Sequence, residues 1–234
     1  MDAPPQISGS KLGVVYGHSL PQGTDLGALS AQGEAVFLAR HEVDLSIPAH
    51  RVDHAANVRR LCEEGCDRVL ALASVGSLRI DLTVGTLVCP SDFFAPGIAP
   101  TFFEDVRGHS VPGFDLGWRA RVLSVWTEHG ELELANGGVY AQVQGPRFET
   151  PAEVRMLARD ADVVGMTIAA EAILAREAGL AYAAVCTVDN LANGLEAEPL
   201  TMVEYRDARD RSAPLLIAEL ERVLPALSPP EEER

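Results

Sequence analysis

Short apolar runs alternate with helical patterns along nearly the whole chain, and that rhythm admits few architectures. Residues 12–16 and 35–39 read as strands, and a helical pattern over 52–64 stops at Gly65, a natural left-handed terminator. The run 68–73 is a buried strand ending in a small-residue loop, 74–77. Residues 82–89 form another strand, broken by Pro90. The segment 91–113 is rich in Pro, Gly and Phe and has no period; it is long for a connection, so it reads as a functional loop or a partner-contact segment. A helix over 118–128 and a strand over 138–143 follow. Thr150-Pro-Ala-Glu153 is a capping box with Pro at the first helical position, which starts a helix. A strand at 163–166, a helix at 169–178 closed by Gly179, an apolar strand at 180–188, a loop at 189–194 and a helix at 201–224 complete the order. Continuous apolar strands between helices imply a mostly parallel or mixed sheet covered on both faces. No repeat or linker-like shift divides the 234 residues, so they read as one domain with flexible ends at 1–10 and 228–234.

Acidic residues outnumber basic ones, 34 to 19, for a formal net charge of −15. A nonspecific grip on nucleic acid needs clustered Lys and Arg, so no such partner is expected. The same charge argues against an anionic membrane surface. A small anion is still admissible, because one local Arg outweighs a distant net charge. Hydrophobic residues at 47% and charged ones at 23% are ordinary globular values, which set aside disorder, collagen and coiled coil. Four cysteines are too few for a disulfide scaffold, and Cys62 and Cys66 lack a second pair at zinc-like spacing. Reduced, mostly buried thiols and no metal are expected. The opening MDAPPQISGS lacks the pattern of a secretory signal, and no apolar run approaches the roughly 18 residues of a membrane span. The expectation is a soluble cytoplasmic protein.

Doubly covered sheets hold ligands at the carboxyl ends of their strands. That directs attention to residues 17–19, Arg40-His41, 74–76, 144–149, Thr167 and Asp189-Asn190. Neither a P-loop nor a dinucleotide-binding glycine turn is present. Arg40 beside Ser and Thr hydroxyls suits a phosphate-like oxyanion; a surface salt bridge at Arg40-His41 fits equally well. In Gln144-Gly-Pro-Arg-Phe-Glu-Thr150 the turn presents Phe148 and Glu149 just before a capped helix. A ring followed by a carboxylate suits a flat heterocycle. The alternative is a core Phe148 and a Glu149 that favours the positive helix terminus. Asp189-Asn190 offers a carboxylate and an amide to a second heterocycle edge, or forms an Asx turn. His50, His54, His109 and His129 have no evident role.

The runs VYAQVQGPRFETPAEVRML, ADVVGMT and EAILAREAGLAYAAVCTVDN resemble the trimeric purine nucleoside phosphorylase and methylthioadenosine phosphorylase family. Upstream, FLARH at 37–41, NVRRLCEEGCDRVLALASVGSLR at 57–79 and VGTLVCPSDF at 84–93 fit in the same order. The resemblance implies a single α/β domain with a mixed, partly barrel-like central sheet flanked by helices, assembled as a homotrimer. It implies attack of inorganic phosphate on the anomeric carbon of a purine nucleoside, with no metal and no organic cofactor. Carried over by position, Arg40, Ser74 and Thr167 fall at phosphate-binding places, with His41 a possible addition. Met166 falls beneath the ribose, Phe148 on the base, and Glu149 and Asn190 at the base-recognition pair. A carboxylate at 149 accepts from the N1–H of a 6-oxopurine, which adenine lacks, unless Asp189 is the residue that turns in. Met202 stands where a His commonly meets the 5′-hydroxyl, and an apolar residue there suits a 5′-methylthio or 5′-deoxy group. The substrate so implied is a 6-oxopurine nucleoside with an apolar 5′ substituent, such as 5′-methylthioinosine.

Departures from the pattern open alternatives. The first loop reads Tyr16-Gly-His-Ser-Leu20, so His18 occupies the usual hydroxyl position unless Ser19 substitutes. Ala73 stands where a polar residue is common. A hydrolase in which water replaces phosphate, a methylthioadenosine phosphorylase and a noncatalytic purine-binding homologue are the competing readings.

Overall fold

The computed structural model describes residues 7, 9–20, 23–25, 29, 35–42, 46–196 and 200–228. The remaining residues, including most of the two ends expected to be flexible, lie outside the described set. Among the described residues nine strands form one mixed sheet: β1 (Lys11–Tyr16), β2 (Ala35–Ala39), β3 (Cys66–Ser77), β4 (Leu87–Cys89), β5 (Asp92–Phe94), β6 (Leu134–Asn136), β7 (Val139–Gln142), β8 (Val163–Gly165) and β9 (Ala181–Leu191). Among the described residues, five α-helices with defined bounds accompany them: α1 (His54–Glu63), α2 (Leu116–His129), α3 (Pro151–Leu157), α4 (Ile168–Ala178) and α5 (Met202–Leu227).

The long strand β3 organises the sheet. It pairs in parallel with β9 on one edge, while its other edge is shared by parallel β1 in the first half and antiparallel β8 at Gly76 and Ser77. From there the sheet continues through β7 and β5 on one side and through β4 and β6 on the other. Successive β3 side chains face opposite ways, as the pleat requires. Val69, Ala71, Ala73 and Val75 enter one core with Val58 and Leu61 of α1 and Ile168 and Leu174 of α4. Leu70 and Leu72 enter the other with Trp118 and Trp126 of α2 and Leu216 and Leu220 of α5. Covering helices on both faces explain why β3 and β9 carry no polar stripe.

Several boundaries differ from the expectation. Residues 74–77, expected as a loop, continue β3, because pairing with β8 and β9 outweighs the low strand preference of Ser and Gly. The strand expected at 82–89 shrinks to Leu87–Cys89, since Thr83–Thr86 close a turn through Gly85 at φ 91°. β9 runs on through Asp189 and Asn190 to Leu191, with a register shift against β3 after Val75. The helix expected from 52 starts at His54, where the Asp53 side chain accepts from Ala56 N. The aperiodic segment 91–113 contains β5 and a 3₁₀ turn at Val106–Gly108, and β6 was not anticipated. The middle of this segment is pinned by the Glu177 carboxylate, which accepts from Phe102 N at 2.6 Å and from Thr101 Oγ1 at 2.8 Å. The capping box at Thr150 and the left-handed Gly179 terminator are formed as expected, and all four cysteines are buried free thiols.

Candidate active site

A cleft of about 410 Å³ opens at the carboxyl ends of β1, β2, β3, β8 and β9, roofed by the first turns of α5. His18, Arg40, His41, Ser74, Phe148, Glu149, Met166, Thr167, Asn190 and Met202 all line it. Two expected residues do not. Ser19 is buried with its hydroxyl unpartnered among the described residues, and it lies off the cleft wall. Asp189 also leaves the wall to Asn190. Asp189 is the extra residue at the shift in β9 register; it is buried behind the wall and, together with Asn190, borders an adjacent cleft.

The wall around Phe148 and Glu149 mixes apolar surface with isolated polar groups. Phe148 is half-buried and meets the Tyr205 ring at 5.9 Å between centroids, tilted by 59°. Glu149 is only 8% exposed, and burial raises its carboxyl above the usual range. The turn that carries both is held by Gly145 at φ 69°; a Cβ there would lie 2.4 Å from Met166 Sδ, so glycine lets the turn close over the methionine. Asn190 donates from Nδ2 to the Leu191 carbonyl at 3.0 Å, which leaves its second N–H and its Oδ1 for a ligand.

The wall around Arg40 is less cationic than Arg40 alone suggests. Its guanidinium is buried and forms a fork with Glu171, Nε to Oε1 at 2.5 Å and Nη2 to Oε2 at 3.0 Å, while Nη1 donates to the Leu72 carbonyl at 3.0 Å. A surface salt bridge is therefore excluded. Two of its five N–H groups remain uncommitted. Burial pushes the Glu171 carboxyl up, but Arg40 and His54 outweigh it and hold the group well below the usual range. Tyr182 Oη adds a further donor to Glu171 at 2.7 Å. His41 places Nδ1 2.7 Å from the Ile47 carbonyl, which fixes the Nδ1–H tautomer and leaves Nε2 a bare acceptor. Burial, with Arg40 beside it, pushes His41 down to about 4; burial lowers His18 as well, so both rings are neutral near pH 7. Gly17 makes the space: a Cβ there would sit 2.9 Å from Arg40 Nη1. Thr167 opens α4 without a side-chain cap bond, and its backbone N donates to Tyr140 Oη at 3.2 Å.

The family model for the phosphorylase superfamily matches residues 19–225. The chain belongs to that superfamily. Among curated members, a probable S-methyl-5′-thioinosine phosphorylase of Xanthomonas campestris is 40% identical over 199 residues, covering 80% of this chain and 79% of the relative. A probable 6-oxopurine nucleoside phosphorylase of Archaeoglobus fulgidus is 36% identical over 195 residues, 82% of this chain and 79% of its own. The fold matches that of a methylthioadenosine phosphorylase from Schistosoma mansoni solved with adenine, with a TM-score of 0.77 at 22% identity over 93% of this chain and 90% of that one.

Two features of this superfamily member escaped the sequence. Tyr205 lies one helical turn after Met202, and that i, i+3 spacing was the available signal. Glu171 is the lone carboxylate in the apolar first two turns of α4, a pattern that already required a buried cation.

Proposed function

We propose that the chain is a pentosyltransferase that cleaves a purine nucleoside by phosphorolysis, with a 6-oxopurine base and an apolar 5′ group as in 5′-methylthioinosine. The observation that carries this is that one cleft is lined together by Phe148, Glu149 and Asn190, by Arg40, Ser74 and Thr167, and by Met166. A phosphate oxygen attacks C1′ as the C1′–N9 bond breaks and its electron pair leaves with the purine. The products are free base and a pentose 1-phosphate. Asn190 donates to the base as negative charge grows on it, and ionised Glu149 accepts the N1–H of a 6-oxopurine. Met202 faces the 5′ end and favours an apolar substituent over a hydroxyl. The names of the Xanthomonas and Archaeoglobus relatives support both halves of this substrate.

No metal or organic cofactor enters the reaction. Cytoplasmic action and assembly as a homotrimer belong to the same proposal; exposed Val106, Val111 and Leu116 supply apolar surface for such contacts. Two observations favour a second reading, hydrolysis: Glu171 offsets the charge of Arg40, and Ala73 offers the anion nothing. Specificity constants for methylthioinosine, inosine and methylthioadenosine, measured with and without phosphate, test both. Phosphate-dependent turnover that prefers methylthioinosine is expected. Preference for methylthioadenosine rejects the base assignment, and base release indifferent to phosphate favours the hydrolase.

A further inference from the structure

The phosphorolysis reaction leaves one buried acid next to the cleft without a role. Asp189 is 1% exposed at the register shift between β9 and β3. Its Oδ2 accepts from the Ser74 hydroxyl, which lines the cleft, and its Oδ1 has no partner among the described residues. From α5, Tyr205 Oη stands 3.5 Å from Ser74 Oγ, Ser212 lies alongside, and Arg209 adds a positive charge already bonded to Asp210. Glu196, Glu204 and Arg211 line the adjacent cleft that Asp189 borders. No cation pairs with its carboxylate among the described residues.

Ser74 has a single hydroxyl hydrogen. When Asp189 is ionised, that hydrogen points to the carboxylate and Ser74 shows only lone pairs to the cleft. When Asp189 is protonated, its own O–H donates to Ser74 Oγ and the serine hydrogen turns to an acceptor in the cleft. Dianionic phosphate is rich in acceptors and needs donors, and Arg40 has already committed three of its N–H groups. We propose that Asp189 is a positioning residue that decides whether Ser74 donates to the attacking phosphate, so that one proton on a buried carboxyl gates the nucleophile side of the cleft. The pair holds one proton when Asp189 is ionised and two when it is protonated, the second being exchanged with solvent. Burial pushes Asp189 up to about 6, so both states are populated not far from neutrality.

This role rests on the phosphorolysis reading, and the test separates the two. The KM for inorganic phosphate is measured for the wild type and Asp189→Asn across pH, with methylthioinosine saturating. Phosphate's own ionisation and the titrations of His18 and His41 are common to both proteins and cancel in the ratio. The ratio is expected to change about ten-fold between roughly pH 5 and pH 8, the worth of one hydrogen bond to a charged ligand. A ratio constant with pH overturns the role of Asp189 while phosphorolysis stands. Wild-type base release that ignores phosphate overturns both. Should Asp189→Asn fail to fold, Ser74→Ala decides the matter, since its ratio to wild type carries the same pH dependence if the gate exists and none if it does not.

Discussion

Glu149 accepts a proton donor only while it is ionised, and burial makes ionisation harder. For a carboxyl whose pKa is raised, the acceptor form is lost as pH falls through that raised value. Specificity for methylthioinosine is therefore expected to decline on the acid side from a higher pH than an ordinary glutamate would set. Glu149→Gln, which cannot become an anionic acceptor, should lower kcat/KM for 6-oxopurine nucleosides by about 100-fold and affect the adenosine analogue far less. Steady-state kinetics on both substrates checks this. Met202→His should shift preference toward inosine by about ten-fold, because a ring nitrogen then meets the 5′-hydroxyl. Phe148 and Glu149 could be placed beforehand because both follow a readable strand. Whether Asp189 or Asn190 faces the cleft could not, since one bulged residue reverses side-chain direction and nothing local in the sequence announces it.

Helix α4 is held at its start by groups from other elements: Tyr140 Oη accepts from the Thr167 and Ile168 amides, and Gln142 Oε1 accepts from Ala170 N at 2.9 Å. Its Glu171 then fixes Arg40 of the β2 end from 131 residues away. Glu171→Ala leaves a buried guanidinium unpaired and should cost about 3–5 kcal/mol in urea unfolding. A loss below about 1 kcal/mol would contradict the pairing. The raised Asp189 carboxyl works in the opposite sense. Its neutral form is favoured by folding, so stability should fall, by up to roughly 1.4 kcal/mol per pH unit, as pH rises from about 4 to about 6. Asp189→Asn should remove that slope. Elements with strong local signals, such as the capping box at Thr150 and the Gly179 terminator, were legible in the sequence to within a residue or two. The extensions of β3 and β9 were not, because Ser74, Gly76 and Asn190 become strand residues only through partners distant in the chain.

At the scale of the molecule, two apolar cores lie on opposite faces of the sheet, and the cleft forms where their strands end. The alternation of apolar runs was enough to foresee that layering. It could not foresee that Glu171 would claim the cation expected to bind phosphate, a pairing that exists only once α4 packs beside β2. If the exposed Val106, Val111 and Leu116 are covered in a trimer, sedimentation equilibrium should return three times the chain mass, and a monomer would contradict that assembly. The most direct measurement is a crystal structure with hypoxanthine and phosphate bound together. Hypoxanthine N1 should lie within hydrogen-bond distance of Glu149 with the ring against Phe148, and the anion should touch Arg40, Ser74 and Thr167. A base bound away from Glu149, or an anion outside that trio, would contradict the account.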